Sequence, residues 1–233
     1  MRSYFGPLRV KVWGERACFT RPECKVDRVS YPIMTPPAAR GVLEAIYWHP
    51  EMFWRVLEIW NLKETGWFSH KINEVTGDKG ISKEWSAMRP FDVAEHNDKG
   101  KPINRDQRHM LGLKDVKYLI VAEVVSRRPE PHTSGDEAKH RDIFQRRLNK
   151  GACAYQPFLG VREFPAYFAP ADDTEESVPL PDANLGHMVA TLYDLSVDPR
   201  SGESAAMRRS FQASTVDGVL KVGVGVYDGR PAP

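Results

Sequence analysis

The sequence predicts an α+β fold. A first unit runs strand, helix, strand, strand, helix, strand, and a small antiparallel β unit follows it. Three observations carry this reading. Residues 8–13 (Leu-Arg-Val-Lys-Val-Trp) and 114–125 alternate apolar and polar side chains at the period of two that a half-buried strand requires. Residues 38–48 and 134–148 instead place apolar side chains three and four apart, each after a helix-start signal. Beyond an acidic, proline-containing stretch at 172–184, residues 188–197, 209–215 and 219–226 read as further short strands.

Each element follows from its residues. The strand at 8–13 is followed by an irregular basic stretch, 14–34, with Arg16, Arg21, Lys25 and Arg28. Thr35-Pro36-Pro37 opens the first helix, with Thr as N-cap and proline in the first turn. Ala39, Val42, Leu43 and Ile46 line one face, and Arg40, Glu44 and Tyr47 another. His49-Pro50 ends the helix, because the residue before proline avoids the helical region. Residues 53–63 read as a strand of imperfect alternation, and 64–113 as hairpin and loop. The strand at 114–125 is the clearest of all, with Val116, Tyr118, Ile120, Ala122 and Val124 on one face. Ser134 and Glu137 form a capping box for the second helix, Ile143, Phe144 and Leu148 its apolar stripe, and Gly151 its left-handed stop. Residues 158–169 read as a final strand, with Pro165 marking an edge or bulge. This β-α-β-β-α-β order is the ferredoxin-like or RNA-recognition topology. The expected division is residues 1–170 for that domain and 171–233 for the small β domain.

Composition excludes several classes. At 233 residues and 41% hydrophobic the chain can bury a real core. Cys18, Cys24 and Cys153 are an odd set without metal-like spacing, as expected of reduced thiols in a cytoplasmic protein. The opening Met-Arg-Ser-Tyr-Phe-Gly-Pro lacks the apolar core of a secretory signal, and no apolar run approaches the roughly 18 residues of a membrane span. No nucleophile elbow, Walker loop or kinase motif occurs. None of the seven histidines forms a metal-spaced pair on one helix, so no metal site and no cofactor are expected. The net charge is only +2, but residues 99–117 and 139–150 are locally basic, which suits a polyanion.

Lys139-His140 is the pair that carries chemistry. It lies near the amino end of a basic helix, where backbone N–H groups favour a phosphate. Imidazole transfers protons near neutrality, and lysine holds a fixed positive charge. Those are the needs of phosphodiester cleavage without a metal. The plainer alternative is a solvated basic helix face. If the two helices pack side by side on the sheet, the end of the first meets the start of the second, which brings Tyr47 toward Lys139 and His140. An ordinary packed tyrosine is the alternative there. The six tryptophans and Tyr118 are either core or stacking platforms for unpaired bases.

Several stretches resemble the type I-C (Dvulg) CRISPR-associated proteins of the Cas five-d family. They are Glu44-Ala-Ile-Tyr-Trp-His-Pro50, Gly80-Ile-Ser with Met88-Arg-Pro90, Leu113-Lys-Asp-Val-Lys-Tyr118, Lys139-His140 with Gln145-Arg-Arg-Leu148, and Phe158-Leu-Gly-Val-Arg-Glu-Phe164. Residues 64–80 and 95–108 look longer than the family's pattern. The resemblance implies a metal-independent endoribonuclease that cuts precursor CRISPR RNA at the repeat hairpin. It implies that the protein then stays on the 5′ tag as a subunit of the type I-C surveillance complex. The family's catalytic Tyr, Lys and His fall on Tyr47, Lys139 and His140. Either Tyr47, its pKa lowered by the nearby lysine, or His140 is the base. Lys25, Arg28, Arg40, Arg89, Arg146 and Arg162 are the RNA-binding candidates, and the basic patches also suit double-stranded DNA. The alternative function is a non-catalytic subunit that only grips the tag.

Overall fold

A computed structural model describes residues 5–24, 26–75, 98–99, 105–126, 134–180, 184–192, 196–197, 204–205 and 208–223. The elements are β1 (Leu8–Ala17), β2 (Arg28–Val29), α1 (Pro36–Ile46), β3 (Met52–Asn61), β4 (Gly66–Val75), β5 (Arg105–Ser126), α2 (Ser134–Lys150), β6 (Tyr167–Pro170), β7 (Asn184–Leu192), β8 (Ser196–Val197), β9 (Ser204–Ala205), β10 (Arg208–Val216) and β11 (Val219–Lys221). The fold is α+β, a mostly antiparallel sheet with two helices. Among the described residues the sheet has nine strands, in the order β6-β1-β5-β3-β11-β10-β7, with β2 and β4 also paired to β5.

β5 is the spine of this sheet. Its second half pairs antiparallel with β1 (Val12↔Tyr118) and β3 (Trp54↔Val124), and its first half with β4 (Ser69↔Leu111). The alternation of apolar and polar residues predicts this strand only from residue 114, with 64–113 as hairpin and loop. In the structure β4 and β5 are two arms of one long hairpin. Residues 76–97 and 100–104, which include the Gly80 and Met88 motifs, lie outside the described residues. β3 alternates imperfectly because a bulge between Val56 and Glu58 shifts its register on β5.

Alternation then decides the faces. Leu8, Val10 and Val12 of β1 and Tyr118, Ile120 and Ala122 of β5 point into the core with Ala39, Val42, Leu43 and Ile46 of α1 and Phe144 and Leu148 of α2. Each such fully buried large apolar side chain contributes about 1.5–3 kcal/mol. Leu119 and Val121 point the other way, into a second cluster with Leu62, Trp60 and Ala171. The acidic stretch that begins at Asp172 is pinned over that side. Lys11 Nζ lies 2.9 Å from Asp172 and 2.8 Å from Glu175, and Val178 N–H donates to the Asn61 carbonyl at 2.7 Å.

After residue 171, β7, β10 and β11 join the same sheet, whereas β8 and β9 pair with each other. β11 pairs with β3 (Leu220↔Ile59), and β10 pairs with β11 and β7. The turn Asp217-Gly218 has positive φ at both residues, 50° and 78°, as a tight right-twisted hairpin requires. Residues 158–169 differ from expectation. Only Tyr167–Pro170 forms a strand, with one isolated bridge from Phe158 to Pro165. Gly160 is the reason for the bend. Its φ is +86°, and a Cβ there would sit 2.0 Å from the Cys18 carbonyl oxygen. No described helix is long and apolar enough to cross a membrane.

Candidate active site at the end of α1 and the start of α2

Tyr47 is where α1 stops. Its N–H still bonds to the Leu43 carbonyl at 2.9 Å, but its backbone is extended (φ −155°, ψ 127°). The helix ends at Ile46, short of the expected limit at residue 48, because the bend that His49-Pro50 requires begins before the proline. A helix end leaves carbonyls without intrahelical donors. Three successive ones here take donors from elsewhere in the fold. Ala154 N–H donates to Ala45 O at 2.7 Å, Arg147 Nη1 to Ile46 O at 2.9 Å, and Trp54 Nε1 to Tyr47 O at 3.0 Å. Trp54 also packs on Phe144 of α2, ring centroids 4.5 Å apart. At the other end of α1, Thr35 is the N-cap residue as expected, although its side chain makes no capping hydrogen bond.

His140 arrives from α2. Glu137, His140, Phe144 and Leu148 are all buried, at helical spacings of three, four and four. The Tyr47 hydroxyl and His140 Nδ1 share a 2.8 Å hydrogen bond between residues 93 apart in sequence. Burying two polar groups costs little when each satisfies the other. Lys139, about 100° around the helix from His140, is exposed. The expectation that brings Tyr47 toward both Lys139 and His140 therefore needs correcting in part: Tyr47 bonds to His140, and Lys139 lies at the surface. Tyr47 is 7% and His140 3% exposed.

A second correction concerns the phenol. Burial raises the Tyr47 pKa above its ordinary 10.0; the Arg147 guanidinium opposes this and Glu51 adds to it. The cation at Tyr47 is Arg147, with Cζ 5.4 Å from the ring centroid, not Lys139. Tyr47 is thus a protonated phenol at neutral pH. It can donate to His140 Nδ1 or accept from Nδ1–H.

Sequence reasoning missed three neighbours. Besides Arg147, they are His49 and Glu51, in the turn just after Tyr47. The His49 and His140 ring centroids are 5.0 Å apart, and Glu51 Oε2 lies 3.9 Å from His140 Nε2 and 3.6 Å from His49 Nδ1. His49, Glu51 and His140 each offer one metal-ligand atom within 4.8 Å of the others. The available signals were nearness to Tyr47 in the chain for two of them and, for Arg147, the seven-residue spacing from His140 on one helix face.

The remaining candidates scatter. Arg146 and Arg162 are exposed, Arg28 is half-buried on β2, and Arg40 donates from Nε to Glu44 Oε1 at 2.7 Å. Lys25 and Arg89 lie outside the described residues. Trp54 and Tyr118 are core, whereas Trp13, Trp48 and Trp67 are exposed.

Residues 7–223 match the family described as CRISPR-associated protein (Cas_Cas5), in its Cas5d form. A protein of Thermus thermophilus named CRISPR pre-crRNA endoribonuclease Cas5d is 44% identical over 190 residues, covering 81% of this chain and 73% of that one. A protein of the same name from Mannheimia succiniciproducens is 43% identical over 178 residues, 76% of this chain and 77% of that one. A crystal structure described as a CRISPR-associated protein shares the fold, with a TM-score of 0.64 at 21% identity over 96% of this chain and 95% of that one. The chain belongs to the Cas5d family of CRISPR-associated proteins.

Proposed function

We propose that this protein is a metal-independent endoribonuclease that cuts precursor CRISPR RNA at the repeat hairpin. It then stays on the 5′ tag as a subunit of the type I-C surveillance complex. Family membership and the two relatives named pre-crRNA endoribonucleases support the activity. The single observation that carries the mechanism is the hydrogen bond between Tyr47 Oη and His140 Nδ1. With the phenol protonated, the tautomer that serves catalysis has Nδ1–H donating to Tyr47 Oη. That leaves the Nε2 lone pair toward the half-exposed His49–Glu51 turn, the side from which a ribose would enter. His140 removes the 2′-hydroxyl proton, the 2′-oxygen bonds to phosphorus, and the bond from phosphorus to the 5′-oxygen breaks, that oxygen taking up a proton from water while the imidazolium returns its own to solvent. The products are a 2′,3′-cyclic phosphate and a 5′-hydroxyl. Lys139, exposed near the amino end of α2, supplies a cation for the charge on the phosphorane.

The test is a labelled repeat RNA incubated with the protein in EDTA. Cutting should persist, and an RNA with a single 2′-deoxy sugar upstream of the cut should bind but stay whole. Loss of cutting that magnesium restores, or normal cutting of the deoxy substrate, would sink the mechanism. A second reading, a subunit that grips the tag without cutting, draws support from the low exposure of His140. It predicts tight binding of tag RNA and no product in the same assay.

The strand order β6-β1-β5-β3, with α1 and α2 as the crossovers, supports a ferredoxin-like or RNA-recognition fold for residues 1–170. The pairing of β7 with β10 supports a small antiparallel domain at 171–233. In this reading Lys25, Arg28, Arg40, Arg89, Arg146 and Arg162 hold RNA phosphates, and the basic patches take double-stranded DNA as a further partner. Free thiols at Cys18, Cys24 and Cys153 suit a cytoplasmic protein.

A further inference from the structure

We propose that His49, Glu51 and His140 form a binding site for a zinc-class divalent ion, and that filling it halts RNA cleavage. The donors converge from two elements, the turn after α1 and the second turn of α2. Their ligand atoms all lie within 4.8 Å of one another, with Glu51 Oε2 3.6 Å from His49 Nδ1 and 3.9 Å from His140 Nε2. A tetrahedral ion with bonds of about 2.0–2.2 Å holds its ligand atoms roughly 3.3–3.6 Å apart, so small side-chain rotations close the site. Two imidazoles and one carboxylate suit zinc, whereas magnesium and calcium prefer all-oxygen shells. The fourth position opens to water, because His49 and Glu51 are half-exposed.

The outer contacts fit as well. An imidazole that binds an ion through Nε2 carries its proton on Nδ1 and donates it to an oxygen. Tyr47 Oη stands 2.8 Å from Nδ1 to accept it. A competing contact, the hydrogen bond that Glu51 N–H donates to His49 Nδ1, is long at 3.4 Å and weak. An ion here takes the Nε2 lone pair that removes the 2′-hydroxyl proton. This inhibitory half rests on the role proposed above for His140, while the binding half does not.

The full chain is stripped with EDTA and dialysed. Zinc is then titrated against a chromophoric chelator, and labelled repeat RNA is cut at each zinc level. One zinc should bind at this site per chain, cutting should fall in step with occupancy, and excess EDTA should restore it. His49→Gln should weaken zinc at least tenfold and, measured against its own zinc-free rate, shift the loss of cutting to correspondingly higher zinc. Zinc affinity unmoved by His49→Gln, as for an ion held by the exposed Cys153 thiol, would overturn the site. Full occupancy that leaves cutting unchanged, or speeds it, would overturn the inhibition. No cutting in metal-free buffer would sink the role of His140 and the inhibition with it. The zinc titration needs no RNA, so it judges the site in either case.

Discussion

The indole N–H of Trp54 donates to the main-chain carbonyl of Tyr47 at 3.0 Å, from a side chain packed on Phe144. One residue of β3 thereby holds the end of α1 against α2. Trp54→Phe keeps an aromatic ring and removes the donor. A buried carbonyl left without its partner costs about 1–3 kcal/mol, so the unfolding midpoint should fall. Cleavage of repeat RNA under native conditions should fall further than the folded fraction does, because Tyr47 loses its anchor. Equal losses in denaturation and single-turnover assays would mean that Trp54 only stabilises.

Removing groups at the candidate site should separate chemistry from binding. His140→Ala and Tyr47→Phe should lower the single-turnover rate by about 10²–10⁴-fold with RNA affinity little changed. Both positions are buried, so each variant should also lose some stability, unlike the exposed Lys139→Ala. Lys139→Ala should slow cutting and weaken binding in a salt-dependent way. A well-folded His140→Ala protein that cuts at the parent rate would remove the central residue.

The pH profile assigns the base. Burial holds the Tyr47 phenol above its ordinary pKa of 10.0, so a phenolate base would make the rate climb through pH 10. A histidine base loses activity only as acid protonates it, so the rate should reach a plateau and not climb again toward pH 10. A single-turnover rate that climbs steadily from pH 6 to pH 10 would return the role to Tyr47.

Acid should loosen the acidic strap. Hydrogen bonds from Lys11 depress the Glu175 carboxyl below its ordinary 4.5 and the Asp172 carboxyl below 3.8, and the same contacts raise Lys11 above 10.5. A depressed carboxyl stabilises the fold above its unfolded pKa and loses that contribution as pH falls through the folded value. A raised amine contributes below its unfolded pKa and loses this as pH climbs past the folded one. The melting temperature of the parent should therefore fall more steeply below pH 4.5 than that of Glu175→Gln. Parallel curves would show that the pairing contributes nothing.

Gly160→Ala should be among the most damaging small changes. The new Cβ meets a backbone carbonyl, which cannot swing aside as a side chain can, at a φ that non-glycine residues rarely adopt. Cys18 N–H also bonds to the Leu159 carbonyl at 3.0 Å, so a shift would pull on the end of β1. Chemical denaturation should show a loss of at least about 2 kcal/mol. A loss below half of that would mean the loop relaxes freely.

Much of the secondary structure was legible from residues alone, because its signals are local. Period-two alternation marked β1 and the second half of β5, Thr35-Pro36-Pro37 marked the start of α1, and Gly151, at φ 63°, marked the end of α2. Lys139-His140 stood out as chemistry near a helix start for the same reason. The β3 bulge, the extension of β5 back to Arg105, and the loop at 158–166 depend on strand partners or on a close backbone approach, which no local window contains.

The site was decided by tertiary structure. Helix periodicity put Tyr47 and His140 on faces of their own helices, but only packing across 93 residues joined them. Packing also buried them, and burial reversed the expected direction of the tyrosine's pKa. It chose Arg147 over Lys139 as the cation beside the ring, and it drew His49 and Glu51 up to His140. Charge, burial and ligand geometry are properties of a place in three dimensions, and a sequence names the residues without the distances between them.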